Sequence, residues 1–123
     1  MNEPLSLDRK FQKELNAGIS ALVLLRVLDG ANEPMYGYQI AKMIASEQAD
    51  VSGFKQGVLY PVLRSLEETG LLESNVEPSV SGPPRRYYQI TSPGRETLIR
   101  WVSIWNQSKA FVETILEGKD HVS

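Results

Sequence analysis

The spacing of apolar side chains predicts that the chain begins with two helices. The first covers about residues 8–28, and from Ile19 onward it is apolar on nearly every side. A helix of that kind is buried on more than one face. Because a chain of this length offers few such enclosed places, the pattern hints at a second subunit. The second helix covers about residues 36–47, where apolar side chains recur at the spacing of one helical face.

Two further helices follow from the same periodicity. The third covers about residues 56–69 and ends at Gly70. Pro61 is compatible with it only in the first turn, where an amide has no helical acceptor to lose. The fourth covers about residues 92–117 and begins where a capping hydroxyl precedes a proline.

Between the last two helices, two β-prone runs flank a loop rich in proline, serine and glycine. The runs cover about residues 71–77 and 85–91 and predict a hairpin with a long, exposed tip. Strand geometry sends one ring of the pair Tyr87 and Tyr88 toward the core and the other toward solvent, and the pattern does not distinguish them. Three helices, a hairpin and a final helix form the order of a winged helix-turn-helix, a mainly α fold with a small β-hairpin.

The 123 residues suit a single domain. We expect residues 1–91 to form an N-terminal helix and a winged helix-turn-helix, residues 92–117 a C-terminal dimerisation helix, and residues 118–123 a flexible tail. In this fold the third helix enters the major groove of DNA, and the hairpin, called the wing, lies along the adjacent backbone.

The composition argues against metal sites, cofactors and several kinds of catalysis. There is no cysteine, and the one histidine, His121, lies near the C-terminus, so we expect no metal site, no cofactor and no histidine-based catalysis. Scattered carboxylates and the absence of a phosphate-binding loop argue against an enzyme. The sequence starts without a signal-peptide pattern, and no apolar run is long enough for a membrane span. We therefore expect a soluble cytoplasmic protein.

The basic charge is concentrated, although the net charge is -2. Residues 51–66 and 78–95 together contain five basic and no acidic side chains, whereas the rest of the chain contains eight basic and fifteen acidic ones. These two segments hold the third helix and the wing, the elements that a winged helix presents to DNA. The alternative interpretation is an ordinary solvated surface.

The approach to the third helix carries residue types that suit contact with DNA. Lys55 and Gln56 can donate hydrogen bonds to phosphates or base edges, and Gly57 permits close approach of the backbone. The Tyr60 hydroxyl can reach a phosphate. Alternatively, Tyr60 and Pro61 only shape the start of the helix.

Three motifs are distinctive in their order and spacing. They are residues 36–40 (YGYQI), 57–72 (GVLYPVLRSLEETGLL) and 85–94 (RRYYQITSPG). With them the sequence resembles the PadR family of bacterial transcriptional regulators over about residues 12–117. The resemblance implies a dimeric winged-helix repressor that binds a roughly palindromic operator and leaves it when a small molecule binds.

Carried onto matching positions, the resemblance implies that Tyr38, Tyr60 and Pro61 lie at the phosphate backbone and that the wing acts through its two arginines. Val58 departs from the pattern, since many relatives carry a Thr or Ser hydroxyl there. The predicted DNA-binding residues are Tyr38, Lys55, Gln56, Gly57, Tyr60, Pro61, Arg64, Arg85 and Arg86.

The last helix carries a seam of apolar and small side chains at alternating intervals of three and four residues. This stripe is wider and longer than so small a domain can cover, so we expect it to meet the last and first helices of a second copy. The alternative is a helix packed wholly on its own domain. The predicted dimer interface comprises Leu22, Leu25, Leu98, Trp101, Ile104, Trp105, Ser108, Phe111, Val112 and Ile115.

Trp101 and Trp105 lie one turn apart on this seam and are the predicted ligand-binding residues. Large rings at a dimer axis can leave an apolar slot in which flat aromatic compounds stack. The single C-terminal helix resembles the branch of multidrug-binding repressors, in which a tryptophan at the position of Trp105 stacks on planar cationic drugs. Trp101 is not part of that pattern and could instead fill the slot. Glu113 and Glu117 would favour cations, and the alternative is that both rings are simply core.

Together these features predict a sequence-specific DNA-binding regulator that represses its own or neighbouring genes. Its expected partners are a double-stranded DNA operator, a second copy of the chain and a small aromatic effector. The alternative function is a winged-helix scaffold for protein–protein interaction, which would have no need of acid-free segments at the third helix and the wing.

Overall fold

The computed structural model describes residues 3–48 and 56–118. Helices dominate, and the strands form one small sheet, which confirms the predicted mainly α class and the predicted order of helices and hairpin. We use the name wing for residues 72–90, which form the two strands of the hairpin and the loop between them. The elements are α1 (Glu3–Asp29), β1 (Met35–Tyr36), α2 (Gly37–Gln48), α3 (Gln56–Glu68), β2 (Leu72–Glu77), β3 (Arg85–Ile90) and α4 (Ser92–Glu117).

The sheet has three strands, one more than predicted. β1 and β2 both pair antiparallel with β3, so the order is β1-β3-β2. Tyr36 lies opposite Tyr87, and Leu72 lies opposite Ile90. A strand of two residues contains no full period of alternation, so the apolar pattern does not reveal β1.

Two helices differ from the prediction in detail. α1 begins at Glu3, well before the predicted start near residue 8, and Pro4 is tolerated because it lies in the first turn. Pro61 lies in the second turn of α3 and not in the first, so α3 lacks the backbone hydrogen bond that an amide would make there.

The core forms around the second half of α1. Helices α2, α3 and α4 and strand β3 all contact α1, so its apolar second half is largely covered within one chain. The buried apolar residues are Leu24, Leu25, Leu28, Met35, Ile40, Ile44, Leu59, Leu63, Leu66, Leu72, Tyr88, Ile90 and Leu98.

Leu25 and Leu98 correct the predicted dimer interface. Their exposed fractions in the single chain are 0% and 5%. Because the chain's own core already covers both side chains, neither can add contact area with a partner. They therefore leave the set of residues that we propose for dimerisation.

The start of α4 is joined to the end of α3. The Thr91 hydroxyl donates to the Gly70 carbonyl (2.7 Å) and accepts from the Gly94 amide (3.0 Å), while the Thr91 amide donates to the Leu71 carbonyl (3.1 Å). A side chain at position 94 would overlap the Leu71 carbonyl oxygen, so glycine is required for this approach. The first turn of α4 is thus fixed directly to the turn that follows α3.

Beyond Trp101, α4 leaves the body of the domain. Residues 102–118 are all exposed, although many of them are apolar. Gly118 ends the helix in the left-handed conformation (φ 67°), and residues 119–123 of the predicted tail lie outside the described residues. Residues 102–117 therefore form the part of α4 that a partner could cover.

Candidate nucleic-acid interface

Tyr38 and Tyr60 lie on the exposed face at the start of α2. A Cβ atom on Gly37 would overlap the Tyr60 phenol, so the ring of Tyr60 rests against the first turn of α2 where only glycine fits. Tyr38 follows directly in α2 and is about half exposed, and Tyr60 is also exposed. Both hydroxyl-bearing rings are therefore accessible at one end of the helix pair α2–α3.

The other residues predicted to contact DNA from α3 lie within the helix or directly before it. Pro61 and Arg64 are exposed on α3. Gln56 and Gly57 are the first two residues of α3, which is where the sequence predicts entry into the groove. Lys55 lies outside the described residues.

The two wing arginines lie on opposite faces of β3. The Arg85 guanidinium stacks over the ring of Tyr36, 4.4 Å from its centroid, and that ring in turn packs edge-on against Tyr87. On the other face, an Arg86 guanidinium nitrogen donates to the Ser74 hydroxyl (3.0 Å). The cation–π contact orients the Arg85 guanidinium, and the hydrogen bond to Ser74 orients that of Arg86.

A cleft of about 380 Å³ separates α3 from the wing. The Ser74 hydroxyl, which accepts from Arg86, donates to the Glu67 carboxylate on α3 (2.7 Å) and so links the wing to α3 across one end of the cleft. The lining residues are Tyr60, Arg64, Glu67, Glu68, Arg86 and Tyr88.

Tyr88 is the core-facing member of the tyrosine pair. It is buried, whereas Tyr87 is half-buried on the opposite face of β3. Burial raises the pKa of the Tyr88 phenol above its ordinary value, and the neighbouring Glu67 carboxylate raises it further. The phenol therefore stays protonated near neutral pH. Strand alternation alone could not choose between the two rings, because the choice depends on the strand register with β1 and β2.

The arginines of the chain differ in whether a carboxylate neutralises them. Arg26 and Arg95 both lie within ion-pair distance of Asp29, at 3.4 and 3.3 Å. Arg95, which falls in one of the two acid-free segments, therefore adds little to the basic surface. In the described part of the chain, the arginines with no carboxylate within ion-pair distance include Arg64, Arg85 and Arg86. Among the described arginines, Arg9 of α1 and Arg100 of α4 also lack such a partner, so the arginines of α3 and the wing are one of several unpaired groups.

A second, apolar cavity of about 450 Å³ lies between α1 and α4. Trp101 is half-buried in its wall, and Trp105 is 39% exposed. The acid at this cavity is Glu14 of α1, which also pairs with Lys10 (2.6 Å), and neither Glu113 nor Glu117 lines it. The lining residues are Glu14, Leu15, Gly18, Ile19, Ala21, Leu22, Trp101, Ile104, Trp105 and Ser108.

Sequence reasoning missed the apolar N-terminal half of α1. Its apolar side chains alternate with charged ones and do not form a continuous run, so the pattern indicated no buried face there. Among the predicted dimer residues, Leu22 is half-buried, whereas those of α4 beyond Trp101 are exposed. The exposed large apolar residues of α1 are Leu5, Leu7, Phe11 and Leu15.

Two absences hold for the described residues. No cluster of three or more potential metal ligands occurs among them. Within the same ranges, every helix is too short or too polar to span a bilayer.

Comparison with known proteins gives a consistent result. Residues 24–100 match the transcriptional regulator PadR-like family. A PadR family transcriptional regulator from Eggerthella lenta superposes with a TM-score of 0.81 at 28% identity, over 97% of this chain and 100% of that one. A PadR-like transcriptional regulator from Bacillus cereus gives a TM-score of 0.69 at 25% identity, over 86% and 99%.

A curated relative, an uncharacterised protein from Lysinibacillus sphaericus, is 28% identical over 100 residues, which are 81% of this chain and 89% of that protein. The family match alone covers well over half of the chain. Family members are transcriptional regulators and not enzymes, and they bind DNA through the winged helix. The chain therefore belongs to the PadR-like family of transcriptional regulators.

Proposed function

We propose that this protein is a homodimeric, sequence-specific repressor that acts in the cytoplasm on its own or neighbouring genes and is released by a planar aromatic ligand. The observation that carries the DNA-binding part is the charge distribution. Arg64, Arg85 and Arg86 have no carboxylate within ion-pair distance among the described residues, whereas Arg26 and Arg95 share Asp29. A chain with a net charge of -2 thereby offers unpaired guanidiniums on α3 and on both faces of β3 to phosphate.

The proposed contacts combine the described side chains of α2, α3 and the wing with the sequence-based prediction for the start of α3. Tyr38 and Tyr60 donate to phosphates at one end of α2 and α3, and Lys55, Gln56 and Gly57 enter the major groove at the start of α3. Arg64, Arg85 and Arg86 bind the backbone beside it. Pro61 packs close to the same phosphate backbone.

Dimerisation is supported by the apolar side chains that one chain leaves exposed. Residues 102–117 of α4 are exposed, and the N-terminal half of α1 also exposes Leu5, Leu7, Phe11 and Leu15. Soluble monomers rarely expose a patch of this extent. The seam of α4 has the spacing of a coiled-coil interface, so the proposed partner is α4 of a second copy.

The α1–α4 cavity supports the proposed ligand response. It is apolar, it presents the exposed ring of Trp105, and a second copy packed on α4 would close it. The Glu14 carboxylate at the cavity is paired with Lys10, so we expect a flat aromatic ligand to bind chiefly by stacking on an aromatic ring. Trp101 forms the wall of the cavity, and Trp105 is the ring on which the ligand stacks.

The joint between α3 and α4 provides a route by which ligand binding could release the operator DNA. Two recognition helices must lie roughly one turn of DNA apart, ~34 Å. A ligand that shifts α4 would also shift the end of α3, because Thr91 and Gly94 fix the two elements together. A coupling of ~1–3 kcal/mol between ligand and operator is typical of such devices.

The test of the proposed function is binding to DNA from upstream of the protein's own gene, compared with a shuffled fragment at several salt concentrations. We expect tight binding to the native fragment alone, with log affinity falling linearly in log salt by about 0.9 per phosphate contacted. Equal, weak binding to both fragments would contradict sequence specificity at this operator. Absence of binding even at low salt would favour the scaffold function instead.

A further inference from the structure

The cleft between α3 and the wing is lined by Tyr88, a tyrosine whose hydroxyl is not engaged by the other described residues. Tyr88 is 3% exposed, and its hydroxyl makes no hydrogen bond to any described residue. A phenol hydroxyl at an open cleft can donate to water or to an acceptor group that enters the cleft. The groups that act electrostatically on this phenol are Glu67, Arg86, Arg64 and Tyr60, which all line the same cleft. The hydroxyl therefore faces the cleft.

Two positively charged groups flank this hydroxyl. Arg64 reaches the cleft from α3 and Arg86 reaches it from β3. Neither has a carboxylate within ion-pair distance in the described ranges. The Arg86 guanidinium is held in place by the Ser74 hydroxyl, which is itself fixed by Glu67 on α3. The cleft thus brings together two guanidiniums and a neutral donor from two different elements.

The carboxylates of Glu67 and Glu68 limit what the cleft can hold. They bring its formal charge to balance with the two arginines, and the Glu67 carboxylate is engaged by Ser74. A balanced site attracts a free dianion only weakly, whereas a phosphodiester carried on DNA is delivered to it by the other contacts of α3 and the wing.

We infer that this cleft seats one phosphodiester of the DNA backbone, and that the Tyr88 hydroxyl donates to it together with Arg64 and Arg86. The site deepens the proposed function and rests on it. It adds Tyr88 to the DNA-binding residues and makes Ser74 the positioning residue that orients Arg86. The Tyr88 phenol remains protonated near neutral pH, so it is available as a donor.

The inference is tested by Tyr88→Phe, which removes only the hydroxyl group. Binding to a short DNA duplex of mixed sequence at low salt is sufficient, because a phosphate contact is independent of sequence. We expect affinity to fall about tenfold, the usual effect of losing one hydrogen bond to a charged group. The melting temperature should not fall, since the hydroxyl has no hydrogen-bond partner in the part of the chain that the structure describes. The salt dependence should also be unchanged, because no charge is removed.

Tyr87→Phe is the matched control, because it removes a hydroxyl from the next residue on the opposite face of β3. It should bind DNA like the wild type. Ser74→Ala should weaken binding and lower the slope of log affinity against log salt, since Arg86 loses its orientation. Equal affinity of Tyr88→Phe and wild type would overturn the site, and so would an equal loss in Tyr87→Phe.

A second arm distinguishes DNA from free phosphate. Inorganic phosphate, compared with chloride at equal ionic strength, should leave the melting temperature of the wild type unchanged. If phosphate raises the melting temperature of the wild type but not of Tyr88→Phe, the cleft is a site for free anions, and the assignment to DNA is wrong. If the wild type binds no duplex even at low salt, the proposed function fails together with this site. If it binds and Tyr88→Phe binds equally, only this site fails.

Discussion

Tyr60 owes its place on the recognition surface to the glycine beside it. The phenol lies where a side chain of residue 37 would be, so Gly37 and Tyr60 form one unit although they belong to different helices. The sequence shows both residues in separate motifs, but only their packing explains why a helix should begin with a residue of such low helix propensity.

Gly37→Ala should therefore move the Tyr60 ring and weaken DNA binding. Because the overlapping atoms are the outer end of an exposed ring, the ring can move aside, so we expect little loss of stability and a several-fold loss of DNA affinity. Urea unfolding and a DNA titration measure the two effects. Gly18→Ala is the control, because nothing lies near its Cβ position in α1, and it should stabilise the protein by ~0.5–1 kcal/mol. The account is wrong if the two variants behave alike.

Residue identity alone indicated most of the basic surface but not its limits. Arg85 and Arg86 were predicted from their motif, and both lie on the wing. Arg95 appeared to extend the same surface, but it forms a long-range ion pair with Asp29, which Arg26 shares. Such a pair joins residues far apart in the chain, so no local pattern reports it.

At the scale of elements, the decisive feature is the joint between α3 and α4. Thr91 serves as the cap of α4 and also holds the last turn after α3 through Gly70. The same hydroxyl therefore stabilises a helix start and connects the DNA-binding helix with the proposed dimer helix.

Thr91→Ala should cost ~1–2 kcal/mol of unfolding free energy, since a helix cap and a hydrogen bond to the Gly70 carbonyl are removed together. Chemical unfolding of purified protein measures this. Thr114→Ala, at an exposed position of α4, should change stability by less than ~0.5 kcal/mol. A similar small change in both variants would show that the joint contributes little to the free energy of unfolding.

The predicted elements agree with the structure where the apolar repeat continues over several turns, and they differ where the repeat is short or absent. The extents of α2, α3 and α4 were close to the observed ones, because each contains several turns of apolar repeat. β1 was missed because it has two residues and exists through pairing with β3. The early start of α1 was missed because its first turns carry no continuous apolar face.

The whole molecule exposes more apolar surface than a stable monomer should. The sequence predicted a dimer from the stripe on α4, and the projection of residues 102–117 supports that proposal. The stripe did not show where the domain's own core ends, so Leu98 was wrongly included. The end of the core depends on the length over which α4 packs against α1, and this length is set by tertiary contacts and not by the local sequence.

Phe111→Glu should dissociate the proposed dimer without unfolding the chain. Phe111 is 66% exposed in the single chain, so a charge there disturbs only a contact with a partner. Sedimentation velocity measures the change in mass, and circular dichroism checks the fold. Asn106→Glu, on the polar side of α4, should remain dimeric. A wild-type protein that sediments as a monomer would refute the dimer directly.

Trp105→Ala should abolish the response to ligand while leaving operator affinity unchanged. The ring lies at the α1–α4 cavity and is absent from the α3–wing surface, so ligand and DNA depend on different residues. Titration with rhodamine 6G, a planar aromatic cation, followed by release of operator DNA, measures the response, and sedimentation velocity checks that the variant is still dimeric, because Trp105 also belongs to the predicted dimer interface. Loss of ligand response and of operator affinity together would contradict this separation.

The most direct test of the central claim, that α3 and the wing form the DNA-binding face, compares two sets of arginines. One variant carries Arg64→Gln, Arg85→Gln and Arg86→Gln, and its control carries Arg26→Gln and Arg95→Gln. Duplex binding is measured across a range of salt concentrations. We predict that the first variant lowers the slope of log affinity against log salt by about 0.9 for each phosphate that its arginines no longer neutralise, and that the control keeps the wild-type slope. An equal reduction in both variants, or none in the first, would contradict the account.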